Sequence, residues 1–333
     1  MKYVPGHQRI SRGGESVHTT QEEKTITIKQ DDEIRQEIEA KFLAPKSKNF
    51  VETEAVRAYE KRIELWLKAG YPVHIIGPTG CGKTALAIKV AEKLKKPAIW
   101  INGDEAITTH DLIGGYSKIE TSTVRDKYIH NVYKDKDIIE PLWVSNPLTL
   151  AVQHGYTLIY NEFSRTKPEA NNILLSILEE GVLELPTKFG EERYVKVHPN
   201  FSMILTSNNV EYAGVHKPQD ALLDRMPAIH MNYYDEDTEV KIIRAHAEEI
   251  SEDVAKKIVA VVRGLRNKLN DAEKPGTRPA IMIAQSLQSS ENGFSKEFFE
   301  QVATDAIASK FKDLKDTQDK MALIKNQIQK VLS

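Results

Sequence analysis

Residues 71–84 read YPVHIIGPTGCGKT, and within them Gly77, Gly82, Lys83 and Thr84 satisfy G-x-x-x-x-G-K-[ST]. Each residue type has a chemical reason to stand where it does. Glycines let consecutive backbone N–H groups turn inward around phosphate oxygens, and the N-terminus of a following helix adds a favourable dipole. Lys83 has the charge and reach to meet the β- and γ-phosphates, and the Thr84 hydroxyl is a ligand for Mg2+. The stretch is therefore expected to hold a nucleoside triphosphate.

Hydrolysis needs an acid on the metal side and a group that orients water. The segment TLIYNEFSR, 157–165, is an apolar strand running into Asn161 and Glu162. Glu162 is expected to polarise the attacking water as general base. Asn161 stands where nucleotide hydrolases place Asp; its amide keeps an oxygen acceptor but loses the charge that hard Mg2+ favours. Weaker metal binding and slow turnover are the expected consequences. A further strand, FSMILTSNN at 201–209, ends in polar residues and places Asn208 where a sheet edge meets the γ-phosphate. Arg225 in ALLDRM reads as an arginine finger delivered to a neighbouring subunit, or as a surface ion pair. Arg278 in GTRPA reads as a lid residue folding over the nucleotide, or as an exposed helix-start residue.

These residues need a parallel sheet to bring them together. Apolar runs at 73–76, 98–102, 157–160, 203–206 and 228–232 alternate with helical patterns at about 83–95, 147–154, 167–180 and 218–224. Alternation of this kind predicts an α/β domain with parallel strands. A helix with apolar positions Val56, Tyr59, Ile63, Leu65 and Trp66 precedes it. Two insertions interrupt the rhythm: a segment rich in charges and aromatics at 116–146, and a hairpin at 182–200 turning on Lys-Phe-Gly-Glu. Beyond residue 234 the pattern is helical to the end. The predicted organisation is a polar extension at 1–45, an α/β domain at 46–233 and a small all-α domain at 234–333. Within the extension, 25–29 has strand alternation and 32–41 could be a short helix.

Bulk properties narrow the class. A net charge of −2 gives no global pull toward nucleic acid or an anionic membrane. No apolar run approaches the ~18 residues of a membrane span, and the polar start lacks a signal core. The single cysteine, Cys81, excludes a disulfide framework and suits a reducing cytoplasm.

The order of phosphate loop, HDLIGGYS, PLTLAVQHGYTLIYNEFSR, TSNN, ALLDRM and GTRPA resembles the MoxR branch of AAA+ ATPases. In that branch the two insertions correspond to a helix-2 insert and a pre-sensor hairpin. The runs at 155–186 and 211–225 are similar to the gas vesicle protein N family in particular. The resemblance implies an AAA+ core with a five-stranded parallel sheet and a helical lid. It assigns phosphate binding to Gly77, Pro78, Thr79, Gly80, Cys81, Gly82, Lys83 and Thr84, and adenine contact to Phe50 and Val51. It matches Glu162 to the catalytic glutamate, Asn208 to sensor 1, Arg225 to the arginine finger and Arg278 to the sensor-2 arginine. Arg165 matches an arginine at the subunit interface. It further implies ATP and Mg2+ as cofactors and a homo-hexameric ring. Partners would be other gas vesicle proteins, of the shell and minor shell-like kinds, with the protein cytoplasmic or vesicle-associated. A nucleotide-gated scaffold with little hydrolysis, and a MoxR-type chaperone activating a metalloenzyme, stay open beside remodelling in gas vesicle assembly.

Overall fold

The computed structural model describes residues 40–127, 133–185, 193–208, 216–271, 273–290, 295–308 and 314–332. The chain divides into two compact units, Met1–Lys41 and Phe42–Ser333, and every element below belongs to the second. The strand expected at 25–29, most of the helix at 32–41 and the turn of the second insertion lie outside the described residues.

Thr53 starts the first helix, α1 (Glu54–Lys68), by accepting a hydrogen bond from the Val56 N–H on its hydroxyl. Val56, Ile63 and Leu67 share one buried face, and Gly70 at φ +86° releases the chain into β1 (Val73–Gly77). The glycine loop follows, then α2 (Lys83–Lys93) and β2 (Ala98–Asn102). A short helix, α3 (Thr109–Ile113), is closed at its start by a reciprocal Thr108–Asp111 capping box. Next come β3 (Gly114–Lys127) and β4 (Tyr133–Ser145), then α4 (Pro147–His154) and β5 (Thr157–Asn161). A single 3-10 turn, Phe163–Arg165, leads to α5 (Pro168–Asn171) and α6 (Ile173–Glu179). The hairpin β6 (Val182–Glu184) with β7 (Tyr194–Lys196), then β8 (Ser202–Asn208), α7 (Asp220–Leu223) and β9 (Ala228–His230), complete the α/β part.

The five parallel strands are ordered β2-β5-β8-β1-β9. Leu158, Ile159 and Tyr160 of β5 and Met203, Ile204 and Leu205 of β8 are at most 1% exposed, because helices cover both sheet faces. Asn208 stands at the carboxyl end of the central strand, directly opposite Gly77 in the register with β1. On the other flank Asn102 pairs with Asn161. At the β2 side, Leu43 bridges Ile99 and the Ala44 N–H donates to the Ala98 carbonyl at 2.7 Å. The first insertion is an antiparallel ribbon of β3 and β4, with a register shift between Lys118 and Glu120.

The helical part comprises α8 (Glu236–His246), α9 (Glu252–Arg266), α10 (Thr277–Gln288), α11 (Lys296–Ala308) and α12 (Leu314–Leu332). Asp235 and Ser251 cap α8 and α9 through their side chains. Ile243, Ile258, Val262, Ile283, Phe299 and Ile328 belong to one buried core. At its junction with the sheet domain, the Glu239 carboxylate is 3% exposed and receives Arg266 Nη2 at 2.7 Å and Arg263 Nη1 at 3.2 Å. Arg266 also donates to the Pro275 carbonyl and lies 3.9 Å over the Tyr233 ring. This fixes the start of α10, where the Thr277 N–H donates to the Gly80 carbonyl of the glycine loop at 3.0 Å. Gly276 is required for that approach: a Cβ there would lie 2.6 Å from the Thr79 carbonyl oxygen.

Candidate nucleotide site

The carboxyl ends of β1, β5 and β8 and the start of α10 border one cavity of about 480 Å3. Gly80 and Gly82 adopt φ of +78° and +96°, a left-handed backbone that lets the loop between β1 and α2 curl back. Lys83 is 5% exposed, and its ammonium donates to the Gly77 carbonyl (2.9 Å), the Pro78 carbonyl (3.0 Å) and Asn208 Oδ1 (2.9 Å). Asn208 passes the connection on, its Nδ2 donating to Glu162 Oε2 at 2.9 Å. Thr79 Oγ1 donates to the same Asn208 oxygen at 3.3 Å.

A second chain of bonds runs beside the first. Thr84 Oγ1 donates to Asn161 Oδ1 at 2.7 Å, and Thr206 Oγ1 donates to the same oxygen at 2.9 Å. Asn161 Nδ2 donates to Asn102 Oδ1 at 3.0 Å, so the amide oxygen faces Thr84. Beneath both chains His74 is paired with Ser207 Oγ at 2.7 Å and stands edge-on to Phe163, ring centroids 4.9 Å apart.

Burial sets the electrostatics. It raises the Glu162 carboxyl above its ordinary value, against the opposing charges of Lys83 and Arg165. It lowers the Lys83 ammonium, and it lowers His74 to about 4, with His230 adding to the effect. A carboxylate moved toward neutral pH is suited to general-base work. The Cys81 thiol is 1% exposed and pushed up by burial, which fits a small filler residue.

Of the residues singled out in the sequence, Thr79 through Thr84, Asn161, Glu162, Asn208, Arg278, Phe50 and Val51 all border this cavity. Gly77 and Pro78 take part through their carbonyls. Arg165 is exposed at the end of the turn after Glu162. Arg225 lies elsewhere: it pairs with Glu179 and the Ala221 carbonyl on a second concavity of about 760 Å3. That concavity includes Pro72, Ser202 and Pro227, at the amino ends of β1, β8 and β9. The sequence reading missed Asn102 and Thr206; only the polar ends of two predicted strands pointed to them.

The residues present fit a magnesium-bound triphosphate. Val56, Ile88, Ile242 and Ile281 with Phe50 and Val51 give the cavity an apolar end, and the glycine loop and Lys83 give it a cationic one. Thr84, Asn161 and Glu162 supply the oxygen donors that a hard divalent ion requires.

A phosphate loop between β1 and α2, a central strand ending in Asn208 and a helical domain seated on the loop together define an AAA+ ATPase. The AAA domain (dynein-related subfamily) matches residues 72–226. Over 275 residues the chain is 52% identical to the gas vesicle ATPase GvpN of Haloferax mediterranei, covering 83% of this chain and 78% of that one. It is 53% identical to the gas vesicle ATPase GvpN1 of Halobacterium salinarum, covering 82% and 78%. With the gas vesicle ATPase GvpN of Ancylobacter aquaticus the identity is 41%, covering 80% and 76%. The chain belongs to the gas vesicle GvpN ATPase family.

Proposed function

We propose that this ATPase binds ATP with Mg2+ in the 480 Å3 cavity and uses its hydrolysis to drive remodelling steps in gas vesicle assembly. The observation that carries the chemical half is the run of hydrogen bonds from Lys83 through Asn208 to Glu162, beside Thr84 and Asn161. Lys83 and the loop amides hold the phosphates. Glu162 takes the proton of the attacking water, with Asn208 fixing its carboxylate and the buried setting raising its basicity. Thr84 and Asn161 would hold Mg2+, which neutralises charge on the phosphates when bound. Arg278 borders the same cavity and would close over the phosphates from α10.

Arg225 and Arg165 act, in this reading, on the site of a neighbouring subunit in a homo-hexameric ring. The distance of Arg225 from its own site supports that role: it lies at the opposite end of the strands. The family relationship supports partners among gas vesicle shell and minor shell-like proteins, and a cytoplasmic, vesicle-associated location. No helix among the described residues is long and apolar enough to cross a membrane.

The test is phosphate release by purified wild-type and Glu162→Gln protein, with fluorescent ADP to read binding. Glu162→Gln should lose roughly 10²–10⁴ in turnover and keep its affinity. Equal turnover would sink the hydrolytic mechanism. For the assembly half, a gas vesicle host that still makes normal vesicles after deletion of the gene would overturn it.

Asn161 favours a second reading, a nucleotide-gated scaffold that scarcely hydrolyses. Its neutral amide is already engaged by Thr84, Thr206 and Asn102. A large gain in phosphate release on Asn161→Asp would favour the scaffold.

A further inference from the structure

The peptide unit joining Asn161 to Glu162 is gripped at both of its polar ends. Its carbonyl oxygen accepts from the Gly103 N–H at 2.7 Å. Its N–H, that of Glu162, donates to Thr206 Oγ1 at 3.0 Å. Glu162 itself sits at φ 53°, ψ 40°, in the left-handed region that a side chain with a Cβ rarely adopts. Such a conformation persists only when its surroundings over-determine it. Gly103 supplies one side of that restraint. A Cβ there would meet the Glu162 carbonyl oxygen, on the next peptide unit, at 2.1 Å, so only glycine lets the backbone after β2 close on Glu162.

Thr206 supplies the other side and does more. It is 0% exposed within β8, two residues before Asn208. A hydroxyl has one proton and two lone pairs. Because Thr206 Oγ1 accepts from the Glu162 N–H, its own proton is free for Asn161 Oδ1, at 2.9 Å. One buried hydroxyl thereby orients the backbone of Glu162 and the side chain of Asn161. Left alone, an Asn amide can present either its oxygen or its nitrogen toward Thr84. The Thr206 proton selects the oxygen, and Asn102 receives the nitrogen at 3.0 Å.

We propose that Thr206 is a positioning residue that sets Glu162 and Asn161 as a single unit, so that the water-orienting carboxylate and the metal-side oxygen are aligned together. The inference rests on the hydrolytic reading of this site for its rate consequences, and on the hydrogen bonds alone for its consequences for Mg2+.

Two pairs of variants test it. Thr206→Val keeps the shape and removes the hydroxyl; Thr206→Ser keeps the hydroxyl and removes the methyl. Thr206→Ala, compared with Thr206→Ser, isolates the hydroxyl at smaller volume should valine at 206 prevent folding. Three quantities are measured: ATP turnover, the Mg2+ concentration that half-saturates the ADP-induced rise in melting temperature, and fluorescent-ADP affinity in EDTA. Loss of the hydroxyl should lower kcat roughly 100-fold, in line with misplacing a general base. It should raise the half-saturating Mg2+ roughly tenfold, as loss of outer-shell partners does, and leave the EDTA affinity unchanged. Thr206→Ser should stay within about threefold of wild type, since it restores the same bonds. Serine and alanine variants equally defective would mean that the methyl packing matters and the hydroxyl does not, which overturns the proposal. Wild-type Mg2+ dependence in Thr206→Val would overturn it as well. If wild-type protein binds nucleotide yet releases no phosphate, the hydrolytic reading fails, while the melting-temperature series still judges Thr206.

Discussion

The two ends of one parallel sheet border different concavities. At the strands' carboxyl ends the polar side chains are engaged with one another: Lys83 with Asn208, Asn208 with Glu162, Thr84 and Thr206 with Asn161. At their amino ends the cavity is mainly apolar, with Leu67, Phe201, Met203 and Met226 among its residues, and Arg225 beside it is held by Glu179. Both sites contain a candidate catalytic cation, but only Lys83 sits among groups that can bind phosphate and polarise water. The contrast teaches that the phosphate-loop groups of one chain are already joined to one another, and that Arg225 lies away from them. Exposed Trp66 and Tyr71, packed edge-to-face at 5.8 Å, enlarge the apolar surface around the amino-end cavity.

The sharpest way to break this contrast is Arg225→Ala. Losing a transition-state arginine costs roughly 10³–10⁵ in turnover, whereas losing a partly exposed ion pair to Glu179 costs little. We expect near-complete loss of ATP turnover with fluorescent-ADP affinity almost unchanged. Mixing Arg225→Ala with Glu162→Gln protein should restore some activity, because the two defects would lie on different faces of a shared site. No recovery at any mixing ratio would argue that the amino-end cavity serves something else.

Next in size is Glu239→Gln. Breaking a buried, hydrogen-bonded charge pair costs roughly 3–5 kcal/mol, and Arg266, 8% exposed, would be left without its carboxylate. Urea unfolding should show that loss, and nucleotide affinity should fall with it because Thr277 is anchored by the same cluster. Stability unchanged within 1 kcal/mol would mean that the cluster is not what secures the helices on the glycine loop.

His74 probes the carboxyl-end network through pH. Its folded-state value, about 4, lies below the unfolded 6.5, so the neutral ring is the form that the fold favours. Its contribution is complete above pH 6.5 and is lost as the pH falls toward 4, by about 3 kcal/mol. His74→Gln should flatten that part of the stability profile measured by denaturant unfolding at pH 7 and pH 4.5. An unchanged slope would mean that acid instability arises elsewhere. Smallest is Gly276→Ala, which forces a Cβ against the Thr79 carbonyl oxygen. Overpacking of this kind costs roughly 1–3 kcal/mol, read as a lower melting temperature together with weaker ADP binding.

How much of this was legible follows from range. The glycine loop is a local signal, since its chemistry is written in consecutive residues, and the buried strands declare themselves as apolar runs because both faces are covered. Asn208 was recognisable as a strand-end polar residue, but its central place was not, because the β2-β5-β8-β1-β9 order departs from chain order. Gly103, just after β2, and Thr206, within β8, stand at most 59 and 45 residues from their shared peptide, and no spacing in the sequence announces that meeting. The first insertion did not read as strand. Segments such as SKIETSTVRDK carry charges without a period-two apolar face, and a two-stranded ribbon can pair through its backbone alone.

The bond from Thr277 to Gly80 carries a mechanical consequence. A carbonyl in the phosphate loop cannot rotate to suit a different number of phosphates without dragging the first turn of α10, and α10 is bolted to α8 and α9 through Glu239. Loop geometry and the placement of α8, α9 and α10 are thus joined through one run of bonds. A pair of fluorophores, one on α12 and one on α1, would register the change from triphosphate to diphosphate as a change in angle, many ångströms from where the bond is cut.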